Sequence, residues 1–175
     1  MNKFPRSAYV HIPFCHRRCF YCDFAVIPLG NKVETLQGYG SKTVKEYLHF
    51  LYKEILSIKH KSSLSTIYVG GGTPSILDPQ QIKQLIDLFK ENYGVDYGAE
   101  ITMEVDPASF NLDDLHGFVN AGINRFSLGV QSFNNQILQK SGRRHLREDA
   151  EKSCLWLKKV YDCLLYTSPS PRDSR

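Results

Sequence analysis

At 175 residues, 42% hydrophobic and 23% charged, the chain is long enough to bury one core and too ordinary in composition for a disordered, collagen-like or fibrous class. No apolar run approaches the roughly 18 residues of a membrane span. The opening Met1-Asn2-Lys3-Phe4-Pro5-Arg6 leads into an apolar stretch broken at His11 and Pro13, which does not fit a secretory signal, so an intracellular, cytoplasmic protein is expected. A net charge of +4, with 22 Lys and Arg spread along the chain, is a weak footprint for nucleic acid, and no such partner is expected.

In chain order, Ala8-Tyr9-Val10-His11-Ile12 reads as a buried strand closed by Pro13. The loop after it carries three of the five cysteines, Cys15, Cys19 and Cys22; an odd total in such a chain argues against a disulfide framework. From Thr43 to about His60, Val44, Tyr47, Leu48, Leu51, Ile55, Leu56 and Ile58 recur largely at three- and four-residue spacing, the pattern of an amphipathic helix. Thr66 to Val69 is a compact strand, punctuated by Gly70-Gly71-Gly72-Thr73-Pro74-Ser75. Asp78-Pro79 caps a helix whose core face is Ile82, Leu85, Ile86 and Phe89. Ile101 to Val105 is a third strand, followed by Asp106-Pro107 and a helix that opens at Asn111 and stops at Ala121-Gly122. Phe126 to Gln131 supplies a fourth strand, with a short helix from Asn134 and a longer one from Arg147. On that helix Cys154 reads as a small buried hydrophobe with no ligand role.

Four strand–helix repeats imply an α/β fold with a parallel sheet, either doubly wound or part of a barrel; the pattern does not choose. In both, the loops after the strand C-termini carry the chemistry. Here those loops hold the cysteines, the triple glycine, Glu104 to Pro107 and Gln131.

The spacing Cys-x3-Cys-x2-Cys sets three thiolates on one short loop, enough for three corners of a cubane iron–sulfur cluster with one iron left free of protein. Zinc is the alternative: His11 or His16 would complete a Cys3His site, and the chain would then be a zinc-stabilised binding module without redox activity. Glycines lacking Cβ let backbone approach a ligand, although the same run could merely turn the chain between strand and helix. A basic Arg143-Arg144-His145 run, taken alone, reads as solvent-facing, and His11 as a hydrogen-bonded rim residue.

Tyr9-Val10-His11-Ile12-Pro13-Phe14-Cys15 through Cys19-Phe20-Tyr21-Cys22 resembles the cluster motif of the radical S-adenosylmethionine (SAM) enzymes, and more narrowly the oxygen-independent coproporphyrinogen III oxidase group. Gly70 to Ser75, Glu104-Val105-Asp106-Pro107 and Gly129-Val130-Gln131-Ser132-Phe133-Asn134, with Arg143 twelve residues after Gln131, agree in order and spacing. The resemblance implies a [4Fe-4S] cluster on Cys15, Cys19 and Cys22, and a free iron that takes the amino and carboxylate groups of SAM. One electron then cleaves the sulfonium to methionine and a 5'-deoxyadenosyl radical. It further implies SAM contacts from Gly71, Gly72, Thr73, Glu104, Gln131 and Arg143, with Tyr9 and Tyr21 flanking the cofactor. Oxidases of the group carry a fourth cysteine two positions past the third; the heme-chaperone branch has Cys-Asp-Phe, as in Cys22-Asp23-Phe24. Heme, porphyrinogen and an electron donor are the implied partners, with coproporphyrinogen dehydrogenase-like activity as the alternative.

The implied fold is the N-terminal portion of a partial (β/α)6 radical SAM barrel, parallel strands with outer helices, over residues 1–162. Residues 163–175, rich in Pro and Ser, drop the strand–helix pattern, resemble a translated sequencing adapter and are expected to be non-native. The remaining barrel and the heme-binding region are expected beyond Cys163.

Overall fold

The computed structural model describes residues 5–30, 42–58 and 62–160. The expected non-native tail lies outside the described residues, as do Cys163 and the last two residues of the first expected helix.

Four parallel strands form the main sheet: β1 (Ser7–Ile12), β4 (Leu64–Gly71), β5 (Val95–Val105) and β6 (Arg125–Leu128), in that spatial order. Two short segments, β2 (Phe14–Cys15) and β3 (Ile27–Pro28), pair beside it. The helices are α1 (Lys42–Ser57), α2 (Pro79–Tyr93), α3 (Leu112–Asn120), α4 (Asn135–Lys140) and α5 (Arg147–Val160). Spatial order follows chain order without the reversal that defines a doubly wound sheet, so the described strands progress as those of a barrel do. Outer helices pack on one another, α1 on α2, α2 on α3, and α3 on α5.

Local chemistry explains where the helices begin. Asp78 accepts from the backbone of α2 while the Gln81 side chain accepts from the Asp78 N–H, and Asn111 and Asp114 do the same for α3. The face expected for α2, Ile82, Leu85, Ile86 and Phe89, is buried. On α1 the buried stripe is Val44, Leu48 and Ile55, whereas Leu56 and the following Ile58 are about half exposed, having rotated off the core-facing stripe. Cys154 is only partly buried, between the sequestered Ser153 and an exposed Leu155.

Strand alternation divides the sheet into two unlike faces. Val10, Ile12, Ile67, Val69, Ile101, Met103 and Val105 point to the helices and form the core. The opposite face carries Tyr9, His11, Tyr68, Glu104 and Ser127, with Tyr9 level with Tyr68 and Glu104 level with Ser127.

Two expected boundaries move. β5 begins at Val95 rather than Ile101, since its first residues still pair with Leu64 across a register shift. β6 stops at Leu128 instead of reaching Gln131: Gly129 donates to the Val105 carbonyl at 2.9 Å and presents its own carbonyl to Arg143 at 2.7 Å, which turns the chain off the sheet.

Candidate functional site

A cavity of about 240 Å3 opens at the C-terminal ends of the strands. Its wall contains Cys15, Cys19 and Cys22 together with Gly71, Gly72 and Thr73, and Tyr21, Glu104, Gln131 and Arg143 also line it. All the expected site residues except Tyr9 therefore meet there. Tyr9 sits on the inner sheet face, 57% exposed and stacked on Tyr68 with ring centroids 5.9 Å apart.

The cysteine loop is held from several sides. Cys15 lies in β2, where the Leu29 N–H donates to its carbonyl at 2.8 Å. The Arg18 guanidinium forks onto the Cys22 carbonyl at 3.1 and 2.9 Å, and the Cys22 N–H reaches the Cys19 carbonyl at 3.2 Å. At the far side, Phe20 N–H donates to the Ser141 carbonyl at 3.0 Å. Gly142 permits that contact: its φ is 81°, and a Cβ there would stand 3.2 Å from the Phe20 nitrogen.

The sulfurs themselves receive donors. Thr73 Oγ1–H points to Cys15 Sγ at 3.4 Å and Arg143 Nη1–H to Cys19 Sγ at 3.7 Å. Burial pushes the Cys15 thiol above its ordinary pKa; the Thr73 hydrogen bond pulls it down, and the negative fields of Cys22 and Cys19 push it up again, so the three sulfurs share one electrostatic neighbourhood. Among the described residues no group of three or more His, Cys, Asp or Glu forms a site for a single metal ion. A structural zinc would need four ligands about 2.0–2.3 Å from one point. A cluster takes each thiolate at a separate corner, and donors to sulfur stabilise the charge it carries. The donor set and its hydrogen bonds fit the cluster. Both ring nitrogens of His11 are engaged, Nδ1 by the Tyr9 hydroxyl at 3.2 Å and Nε2 by the Ala25 carbonyl at 3.0 Å.

The glycine run, which lines the cavity, is tied to the surrounding backbone and to Glu104. The N–H groups of Gly71, Gly72 and Thr73 are spent on the protein: on Glu104 Oε2 at 3.0 Å, the Ile12 carbonyl at 2.8 Å and the Phe14 carbonyl at 2.7 Å. The first bond ties the end of β4 to β5, and the other two lash it to the base of the cysteine loop. At Gly72 a Cβ would lie 2.6 Å from the Phe14 carbonyl oxygen and 3.0 Å from Cys15 Sγ. The carbonyl is backbone and cannot swing aside as a side chain would, so Gly72→Ala must displace the loop. The substitution is expected to cost about 1–3 kcal/mol, as overpacking does, and to lower iron retention. A urea melt and an iron assay check this; unchanged values in both would show that the loop has slack.

Glu104 accepts from the Tyr68 hydroxyl at 2.8 Å through Oε1 and from Gly71 through Oε2, each oxygen keeping one lone pair. Gln131 has a φ of 65°, and among the described residues it is the one non-glycine with positive φ. It centres a three-residue turn closed by Ser132 N–H to the Val130 carbonyl at 2.8 Å, the strained sense of the γ-turn. Such strain costs on the order of 1–3 kcal/mol and concentrates at ligand sites.

Arg143 is not solvent-facing. Its side chain is 11% exposed and ion-paired with Asp106, which is 20% exposed. Nη2 also donates to the Gly129 carbonyl at 2.7 Å, and Nε to His145 Nδ1 at 3.3 Å. Burial opposes the charge on Arg143, yet Asp106, Tyr21 and Cys19 together outweigh it and raise its pKa. His145 is fully buried and donates from Nε2 to the Val130 carbonyl at 2.9 Å, since Nδ1 faces the Arg143 donors. Burial first, then the Arg143 charge, lower its pKa. Asp106 and His145 were missed as site residues. The Asp106-Pro107 pair was visible in sequence, but its partner lies 37 residues away.

Comparison with known proteins agrees with this geometry. The model of the Radical SAM superfamily matches residues 9–168. The heme chaperone HemW of Synechocystis sp. is 41% identical over 150 residues, covering 85% of this chain and 35% of that protein. The oxygen-independent coproporphyrinogen III oxidase of Salmonella typhimurium is 38% identical over 150 residues, covering 82% of this chain and 30% of that protein. Among solved structures, the radical SAM enzyme coproporphyrinogen III oxidase (HemN) from Escherichia coli superposes with a TM-score of 0.74 at 32% identity, over 88% of this chain and 34% of that one. The chain thus spans about a third of the length of the relatives it matches. No helix among the described residues is long and apolar enough to cross a membrane.

Proposed function

The chain belongs to the radical SAM superfamily, and on that premise we propose that it binds a [4Fe-4S] cluster and SAM and works as a HemW-like heme chaperone in heme or porphyrin metabolism. The observation that supports this best is the convergence on one cavity of the three cysteines, the glycine run, Glu104, Gln131 and Arg143. When bound, the pair of cofactors supplies one-electron reductive cleavage of a sulfonium.

The chain's own groups account for the rest. Cys15, Cys19 and Cys22 hold three corners of the cluster. The free lone pairs of Glu104 accept from hydroxyl or ammonium groups of SAM, while the N–H bonds of Gly71, Gly72 and Thr73 keep the cavity wall in place. Asp106 and His145 fix the plane of Arg143 so that Nη1 faces the cluster loop. Phe24, 58% exposed in the cavity wall, stands where the oxidases carry a cysteine and brings an apolar ring without a ligand atom. That residue favours the chaperone over the second reading, an oxygen-independent coproporphyrinogen III oxidase, which the likeness to the Escherichia coli enzyme keeps in play.

The test is anaerobic reconstitution with iron and sulfide, followed by titration with SAM, heme and coproporphyrinogen III. The expected result is a cluster whose EPR spectrum responds to SAM and, in the full-length parent protein, heme binding without porphyrinogen decarboxylation. Turnover of coproporphyrinogen would select the oxidase, and zinc without acid-labile sulfide would select the binding module.

A further inference from the structure

We infer that Tyr68, which no motif singles out, is a positioning residue for the Glu104 carboxylate on the SAM side of the cavity. The inference rests on the SAM-binding reading above and adds a residue to it.

Glu104 ends β5 on the inner face, where a free carboxylate would have a choice of rotamers and a water shell to lose before taking a ligand. Two donors remove that choice. Gly71 N–H holds Oε2 at 3.0 Å, and Tyr68 O–H holds Oε1 at 2.8 Å from the neighbouring strand. The backbone donor is fixed by the strand. The phenol is fixed by packing: its ring stacks on Tyr9 at an interplanar angle of 23°, and a Cβ at Gly70 would lie 2.7 Å from its Cε1, so only glycine leaves room for the ring in this pose. Burial first, with the Glu104 hydrogen bond and charge adding to it, pushes the Tyr68 pKa up to about 12, so the hydroxyl remains a donor throughout the physiological range. A carboxylate has room for about four hydrogen bonds. With one donor on each oxygen, the remaining lone pairs are already oriented when SAM arrives, which lowers the ordering cost of binding.

The arrangement also gives Tyr9 a place. It does not line the cavity, but it braces Tyr68 by stacking, and its own hydroxyl is tied to His11 at 3.2 Å, whose other nitrogen meets the loop carbonyl of Ala25. A chain of contacts therefore runs from the segment after the third cysteine to the Glu104 carboxylate.

The test uses the reconstituted protein, with SAM itself as probe, read by the change in the EPR spectrum of the reduced cluster and by calorimetric affinity. Tyr68→Phe keeps the ring and the stack while deleting the donor. It is expected to weaken SAM binding roughly tenfold, the scale of one hydrogen bond to a charged group, with iron content and the urea midpoint unchanged. Glu104→Gln is expected to weaken binding further, and the Tyr68→Phe/Glu104→Gln pair to bind no more weakly than Glu104→Gln alone, because the phenol acts through the carboxylate. Wild-type affinity in Tyr68→Phe, or losses that multiply in the double variant, would overturn the inference while leaving SAM binding intact. No response to SAM in the wild-type protein would instead overturn the functional reading and this inference with it.

Discussion

Replacing any one of Cys15, Cys19 and Cys22 with alanine is expected to abolish cluster assembly, leaving reconstituted protein colourless and without an EPR signal on reduction. The three thiolates sit on one eight-residue loop in a single cavity, and a site with only three protein ligands has none to spare. Among the described residues, His11 has both nitrogens bonded and Cys154 lies on α5, outside the cavity wall, so neither is placed to substitute. The fold itself is expected to survive, because none of residues 15–22 belongs to the buried hydrophobic core between the sheet and the helices. Far-UV circular dichroism of the variants should match the wild type. A single-cysteine variant that still assembled a stoichiometric SAM-responsive cluster would require a ligand from elsewhere and would refute the assignment.

The second large effect is on stability. Asp106→Ala is expected to cost about 3–5 kcal/mol, the penalty for leaving one partner of a buried ion pair without its counter-charge. The magnitude is high because Arg143 is 11% exposed and gathers four structural elements: the Asp106 loop, the Gly129 turn, His145 and Cys19. Domains of this size are stable by only about 5–15 kcal/mol, so the variant should unfold at much lower urea. Removing both charges in Asp106→Ala/Arg143→Met should restore much of the loss, since neither charge is then stranded, yet it should not restore the contact to Cys19 or SAM affinity. Denaturant midpoints with unchanged slopes would measure this. A loss below about 1 kcal/mol in Asp106→Ala would place the pair with ordinary surface salt bridges.

Both expectations depend on contacts of unequal visibility in the sequence. The cysteine loop, the glycine run and Glu104 were legible because the chemistry demands those residue types at short spacing. The helices α2 and α3 were legible because Asp78 and Asn111 cap them through bonds three residues long, and the strands because period-two alternation shows which face is apolar. Less legible was the end of β6, which Arg143 decides from 14 residues downstream by taking the Gly129 carbonyl. The burial of Arg143 and His145 was likewise hidden, since a basic run looks solvated until a carboxylate and a carbonyl are brought to it.

By itself, then, the sequence determined the parallel strand–helix succession, the three closely spaced cysteines and the rim on which they and Glu104 would gather, all from local periodicity and motif spacing. The tertiary structure decided that the strands progress as in a barrel, that the glycine N–H groups bind protein, that Asp106 and His145 hold Arg143, and that Tyr68 reaches Glu104. Each of those depends on the register between strands or on a pairing across tens of residues. Such distances close only when the sheet assembles, because the loop entropy is compensated by the whole core rather than by any one contact.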